Sequence, residues 1–315
     1  MVPQNAHPVN KAKTAALFLA AICLTLFWPD PLRIFAEGQT SLSGAVYPIL
    51  RDIQYGFIVR NKTGRPVKEA QFWTYAPVRL TSTQKCLRLE VSQPYLLIVD
   101  DLGNQILHFQ FPILAPYETK PITIRAHLGL ADSPNPAPLG RDHRFLQPEP
   151  YIESDHPEIR KLAEQLLSST PKETAEKIFH WVAGTIRYTG YQRDTLGALF
   201  ALKNRRGDCT EYMALFTALC RANGIPAVGL GGYVRQESGG IEPASYHNWA
   251  EFYEGGAWNL SDPQRKIFMK NPSHYIAMRI IGASPSNPLG DAHRFRFTGD
   301  DIEVKMISPR GFEGI

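Results

Sequence analysis

Three residues in the second half of the chain have types and settings suited to covalent chemistry: Cys209, His247 and Asp262. A thiol, an imidazole and a carboxylate are the parts of a nucleophile, a base that takes its proton, and a group that orients the base. Cys209 lies in Arg206-Gly207-Asp208-Cys209-Thr210-Glu211, ahead of an amphipathic run, Met213, Ala214, Phe216, Thr217, Leu219 and Cys220, that stops at Asn223-Gly224. Asp208 and Glu211 have capping-box spacing, which predicts a helix whose first residue is Cys209. The unpaired N–H groups of that helix end are partially positive. With an imidazolium neighbour they are expected to stabilise the thiolate of a residue whose ordinary pKa is about 8.5. The same end offers the backbone N–H of Cys209 to an oxyanion. A charged Asp208 next door opposes a second anion unless capping, or a pair with Arg205 or Arg206, engages it.

The base and its orienting acid fall on two consecutive strands. In Tyr246-His247-Asn248-Trp249-Ala250-Glu251-Phe252-Tyr253, alternation places His247, Trp249, Glu251 and Tyr253 on one face. Glu254-Gly255-Gly256 turns the chain into Trp258-Asn259-Leu260-Ser261-Asp262-Pro263, where the proline marks the end of the strand. If Tyr253 faces Trp258, Asp262 faces Trp249 and lies diagonal to His247 on the same face, within hydrogen-bond reach. A register slipped by one residue would send Asp262 to the other face.

Other chemistry-bearing residues have plainer settings. Cys220 follows Cys209 by eleven positions. That is about 16 Å along a helix axis, so the two sulfurs cannot bond within one straight helix, and Cys220 reads as core. Cys86 sits in an apolar strand context and reads as a small buried hydrophobe. His180 lies on a helix with no partner nearby and stays outside the site. For a second oxyanion donor, Tyr188, Tyr191 and Gln192 qualify by side-chain chemistry, and Tyr188 is the one selected. Neither a C-x-x-C pair nor a D-x-D-x-D-G loop occurs, so no metal and no cofactor are expected.

The elements that must position these residues are legible on both sides of them. Pro157 opens a helix with Ile159, Leu162, Ala163 and Leu166 on one stripe, for which Asp155 is the expected cap. Thr170-Pro171-Lys172-Glu173 starts a second, ahead of Ala175, Ile178, Phe179 and Val182. After the Cys209 helix, Val228 to Arg235 reads as a strand, then the loop from Gln236 to Ser245 is a candidate for shaping the cleft. Upstream, six short runs alternate Val, Ile, Phe and Tyr: Tyr55 to Arg60, Ala70 to Tyr75, Cys86 to Val91, Tyr95 to Val99, Ile106 to Phe111 and Ile122 to Ala126. Turn signals separate them, as in an immunoglobulin-like sandwich. The expected domains are therefore a β-sandwich over 40–130, a Pro- and Gly-rich linker over 131–154, a catalytic domain over 155–300 and a tail over 301–315.

Residues 1–36 stand apart. Lys11 and Lys13 precede an apolar run from Ala15 to Trp28 and then Pro29, the pattern of an export signal. The run is shorter than the roughly 20 residues of a spanning helix. Retention of residues 14–28 as a membrane anchor is the alternative to cleavage after Ala36. Formal net charge is +4, from 34 basic and 30 acidic residues, and no basic run exceeds Arg205-Arg206, so nucleic acid is not an expected partner. Hydrophobic content of 43% with 20% charged residues describes a folded globular chain.

Arg206-Gly207-Asp208-Cys209, the run from Ala218 to Ala227, His247-Asn248-Trp249-Ala250-Glu251, and Trp258 through Asp262-Pro263 resemble the signature blocks of the transglutaminase-like superfamily. The resemblance covers roughly Asp155 to Pro263. It implies an α+β, papain-like core, helices followed by an antiparallel sheet, with Cys209 as nucleophile, His247 as base and Asp262 as its orienter. Exported bacterial members it resembles also carry an N-terminal β-sandwich. Two positions depart from the pattern: Val228, where an arginine often follows Gly-Ile-Pro-Ala, and Gln264, where a threonine often follows Asp-Pro. The expected activity is hydrolysis of an amide or peptide bond through a thioester, in a periplasmic or extracellular protein acting on a peptide or protein. The alternatives are a protein-crosslinking transglutaminase, a non-enzymatic binding module on the same scaffold, and a zinc site built from Cys209, His247 and Asp262.

Overall fold

Alternation builds the first strand, β1 (Ile49–Asn61): Ile53, Tyr55, Phe57 and Val59 are buried, whereas Leu50, Asp52 and Arg60 face outward. The computed structural model describes residues 44–136, 142–282, 286–290, 292–299 and 301–308; the expected export segment and Cys23 lie outside these. Next come β2 (Val67–Ala76), β3 (Gln84–Val91), β4 (Leu96–Val99), β5 (Gln105–Leu114) and β6 (Thr119–Leu130). All six runs read from the sequence fall on these strands. One sheet pairs β1 with β6 and β6 with β3, and the other pairs β2 with β5 and β5 with β4, all antiparallel. They pack across Phe57, Phe72 and Phe109, with the first two rings 4.9 Å apart.

The second half begins with α1 (Pro157–Leu166) and α2 (Pro171–Thr185). Thr170 caps α2 as expected, its Oγ1 accepting from the N–H of Glu173 at 3.1 Å. The cap of α1 is His156 rather than Asp155: the ring Nδ1 accepts from Glu158 N–H at 3.2 Å. The residue before a proline is held extended, and here that residue, at ψ 133, occupies the capping position. β7 (Arg187–Tyr188), α3 (Gly197–Asn204) and β8 (Arg206–Gly207) then lead into α4 (Cys209–Ala222).

After α4 come β9 (Ala227–Val234), β10 (Gly239–Gly240), β11 (Tyr246–Glu254), β12 (Ala257–Asp262), β13 (Ile267–Phe268) and β14 (Tyr275–Ile281). They form a sheet ordered β13-β12-β11-β9-β14. One face, with Ala227, Ala250 and Phe252, packs on Met213, Phe216 and Leu219 of α4. The other, with Leu230, Trp249, Trp258 and Leu260, packs on Val78, Leu102 and Phe145. Both faces of the sheet are thus covered, and α4 is buried nearly all round. The architecture is α+β, as expected.

Three expectations about the connections change. The stretch read as a linker is built into the fold: Phe145 stacks edge-on against Trp258 at 5.0 Å. Arg221 of α4, its side chain fully buried, donates to Gln147 O at 2.6 Å and Glu149 Oε1 at 2.8 Å. The loop from Gln236 to Ser245 is tied to the sandwich, because β10 pairs parallel with β1 and Ser238 Oγ accepts from Asp52 N–H at 3.0 Å. Nor do residues up to 300 stay with the catalytic core and leave 301–315 as a tail. β15 (Phe295–Thr298) pairs with β2, and β16 (Ile302–Ile307) pairs with β1 from Gly56 to Asn61. An unpaired strand edge in each sheet accepts a returning strand, and β16 buries its apolar Ile302 and Val304 there. The sandwich is therefore assembled from both ends of the described chain.

Candidate active site

The segment before Cys209 is fixed by hydrogen bonds and by one small residue. Asp208 caps α4, with Oδ1 accepting from Thr210 N–H at 2.7 Å, and Glu211 Oε2 accepts from Asp208 N–H at 3.0 Å. The second Asp208 oxygen accepts from Gln192 N–H at 2.9 Å, while Glu211 Oε1 accepts from Leu196 N–H at 2.9 Å. Capping therefore engages the Asp208 charge, and the two arginines do not. Arg205 lies over Trp181 at 4.7 Å and Arg206 over Phe200 at 5.9 Å. Gly207 lets Glu211 reach back, since a Cβ there would lie 2.3 Å from the Glu211 Cβ.

Cys209 is partly buried at the first position of α4. Burial and the charges of Asp208, Asp262 and Glu211 push its thiol up to about 12, opposed by a hydrogen bond from the Asn248 backbone. The sequence expectation of a stabilised thiolate is reversed, because the surrounding carboxylates and the loss of water outweigh one helix end. The Cys209 thiol is held against the start of β11 by its hydrogen bond with the Asn248 backbone. Asn248 secures the same junction a second time, its Nδ2 donating to Thr210 Oγ1 at 2.9 Å.

The hairpin register is the one the sequence arithmetic required. Tyr253 pairs with Trp258 and Ala250 with Ser261. Asp262 then reaches His247, with Oδ2 2.6 Å from Nε2. Both are buried, at 1% and 8% exposure, so water competes little for the contact. With Nε2 turned to Asp262, Nδ1 remains for proton exchange. Trp249 stacks against the imidazole with ring centres 6.4 Å apart.

Two further groups hold Asp262. The Arg265 N–H donates to Oδ1 at 3.1 Å, and the Tyr275 hydroxyl donates to Oδ2 at 2.9 Å. Burial and the neighbouring Asp262 hold the Tyr275 hydroxyl well above the usual phenol range. Sequence reading passed over Tyr275: it lies on β14 at the far edge of the sheet, beyond Pro263, and no spacing rule connects it to Asp262. Its ring also packs edge-on against Trp249 at 5.1 Å.

The remaining candidates separate by position. Tyr188 pairs with Gly207 across β7 and β8 and is half exposed. Its hydroxyl is pushed up by burial and then by Cys209 and Asp208, which sets it near Cys209. Tyr191 is 79% exposed. Gln192 is drawn to the site by its backbone bond to Asp208. His180 is exposed on α2 against Phe179. Cys86 lies on β3, where burial pushes its thiol up to about 11, and Cys220 is fully buried in the helical core. Among the described residues, no three His, Cys, Asp or Glu side chains gather as a metal site.

Residues 160–263 match the family model described as Transglutaminase-like superfamily. This part of the chain is a transglutaminase-like domain. A solved structure from Cytophaga hutchinsonii, titled as a candidate cysteine protease, is similar over 83% of this chain and 93% of its own. Its TM-score is 0.52 at 18% identity, a likeness of fold that includes the sandwich. The periplasmic domain of TgpA from Pseudomonas aeruginosa, bound to ethylmercury, aligns over 68% of this chain and 90% of its own, with TM-score 0.36 and 18% identity. No curated protein matches. The transglutaminase-like match contains Cys209, His247 and Asp262 and ends before Tyr275.

Proposed function

We propose that the chain is an exported cysteine hydrolase that cleaves an amide or peptide bond through a thioester on Cys209. The observation that carries this reading is the buried pair of His247 Nε2 and Asp262 Oδ2 at 2.6 Å, next to the Asn248 backbone that bonds the Cys209 thiol. The transglutaminase-like match supports a cysteine-type enzyme, and the charged and apolar segments before Pro29 support export.

Because the resting thiol is neutral, attack is coupled to proton transfer. His247 Nδ1 takes the proton as Cys209 Sγ bonds to the carbonyl carbon, and Asp262 stabilises the imidazolium that forms. The Cys209 N–H, at the open end of α4, faces the developing oxyanion, and Tyr188 is the proposed second donor. His247 returns the proton to the leaving nitrogen as the C–N bond breaks, and the acyl group stays on sulfur. A water molecule, deprotonated by His247, then attacks the thioester carbon; the C–S bond breaks and the thiol is restored. Water rather than an amine is the proposed acceptor.

The test is product analysis on glutamine-containing peptides with and without a primary amine. Acid products that persist when the amine is present support hydrolysis, whereas amine incorporation exceeding hydrolysis would make the protein a crosslinking transglutaminase. Cys209→Ala should abolish turnover on every substrate. Turnover retained in that variant would remove Cys209 from the mechanism.

A further inference from the structure

Overall charge is nearly balanced, but the segments that frame the proposed nucleophile are not. Between residues 187 and 206 stand Arg187, Arg193, Lys203, Arg205 and Arg206 against a single acid, Asp194. Between 262 and 270, Arg265, Lys266 and Lys270 accompany only Asp262, which is buried under His247 and Tyr275. Lys203 is neutralised by Glu158 at 3.0 Å. The other seven cations are exposed, and none is in a salt bridge among the described residues.

Four of these cations are attached to backbone pinned at the triad. Arg187 and Arg206 face each other across the β7–β8 pair, whose next rung, Tyr188 with Gly207, adjoins Asp208 and Cys209. Arg193 follows Gln192, whose N–H is held by Asp208 Oδ2 at 2.9 Å. Arg265 donates its own N–H to Asp262 at 3.1 Å, and its guanidinium lies against the Tyr275 hydroxyl. Positive charge is thus carried on backbone that adjoins both the Cys209 side and the His247–Asp262 side. Unpaired cations fixed around a reacting centre raise the local concentration of anions and select for them. A thiol poised for acyl chemistry needs an amide or ester to open, which the phosphodiester backbone of a nucleic acid does not present.

Resting on the hydrolase reading, we propose that the substrate is an acidic peptide whose carboxylates flank the scissile amide and meet Arg187, Arg193 and Arg206 on one side and Arg265 on the other. Guanidinium groups suit this task because their planar fork bonds a carboxylate through two N–H groups.

Peptidyl chloromethyl ketones of one backbone, bearing either two Glu or two Gln residues beside the ketone, test this without turnover, because the thiol alkylates them by displacing chloride. The Glu reagent should label Cys209 about tenfold faster at low ionic strength, and the ratio should approach one near 0.5 M salt. In an Arg193→Gln, Arg206→Gln double variant most of the advantage should vanish at low salt, and Arg187→Gln alone should give an intermediate ratio. Iodoacetamide labelling and circular dichroism report whether the variants remain folded. Equal rates for the two reagents at low salt would overturn the acidic-peptide assignment and leave the hydrolase reading standing. An advantage undiminished in both variants would overturn the role of these arginines. Should neither reagent label Cys209 faster than Cys86, the hydrolase reading falls, and this proposal with it.

Discussion

His247 and Tyr275 converge on one atom: Oδ2 of Asp262 lies 2.6 Å from the imidazole Nε2 and 2.9 Å from the phenol oxygen. Tyr275 reaches that atom from the opposite edge of the sheet, and its donated hydrogen bond restrains a carboxylate that otherwise holds only the histidine and one backbone amide. In the proposed mechanism Tyr275 is a positioning residue.

Tyr275→Phe removes that restraint without emptying the packing against Trp249. A net contribution of about 1–1.5 kcal/mol for such a bond corresponds to a fall in kcat/KM of roughly tenfold. The loss should appear mainly in kcat, with far-UV circular dichroism unchanged. Asp262→Asn, which removes the charge, should cost on the order of a thousandfold or more. A Tyr275→Phe enzyme equal to the wild type would show that Asp262 needs no second side-chain partner.

The neutral state of Cys209 has a pH signature. Burial and three carboxylates push this thiol up to about 12, so the anion appears only as pH climbs toward that value. Iodoacetamide labelling of Cys209 in the free protein should rise steadily with pH to about 10 and show no plateau between about 5 and 8. A plateau in that window, read by mass spectrometry, would mean a standing thiolate–imidazolium pair instead.

Glu251, 6% exposed, has its carboxyl pushed up to about 7 by burial, with the Trp249 indole opposing the shift. The native state therefore holds a proton that the unfolded chain has already released, so stability falls as pH rises. The contribution is fully present below the ordinary glutamate value of about 4.3 and is lost by the time pH passes the folded value, a change of about 3 kcal/mol. Glu251→Gln removes this titration. Urea unfolding near pH 4 and near pH 8 should show the variant gaining on the wild type by about that amount.

Gly207→Ala places a methyl group 2.3 Å from the Glu211 Cβ and 2.7 Å from its Cγ. Glu211 must withdraw, which unseats the capping box and the amides of Leu196 and Gly197 that it holds. A loss of about 2 kcal/mol or more in unfolding free energy is expected, with activity falling further than stability because Cys209 shifts with the helix start. Wild-type stability in this variant, measured by urea denaturation, would show that the turn relaxes freely.

How far the sequence reached depended on the distance over which each signal acts. Cys209 was legible because a capping box writes a helix start into four consecutive residues. His247 and Asp262 were legible because a two-glycine hairpin sets its own register, and Tyr253 does face Trp258. The six sandwich strands followed from alternation. β14, β15 and β16 did not, because their pairing partners lie far away in the chain and only the assembled sheets decide where they dock. Tyr275 escaped for the same reason. The thiol was misjudged through burial: a helix start can be read from residue types, whereas the closeness of Asp262 and Glu211 to a half-dry sulfur belongs to the packed state.

The pairing of β16 with β1 also sets an order of assembly. A chain synthesised from its N-terminus makes β1 about 240 residues before the strand that completes its edge. The transglutaminase-like domain, carried between them, has Cys209, His247 and Asp262 in hand by the last of these and its last strand by Ile281. It can pack while the sandwich still lacks β15 and β16. The long closing contact between the two ends of the described chain is the slow, entropically costly step. The first strand of the described residues is thus among the last to be protected, and until then its open edge is the part most exposed to mispairing.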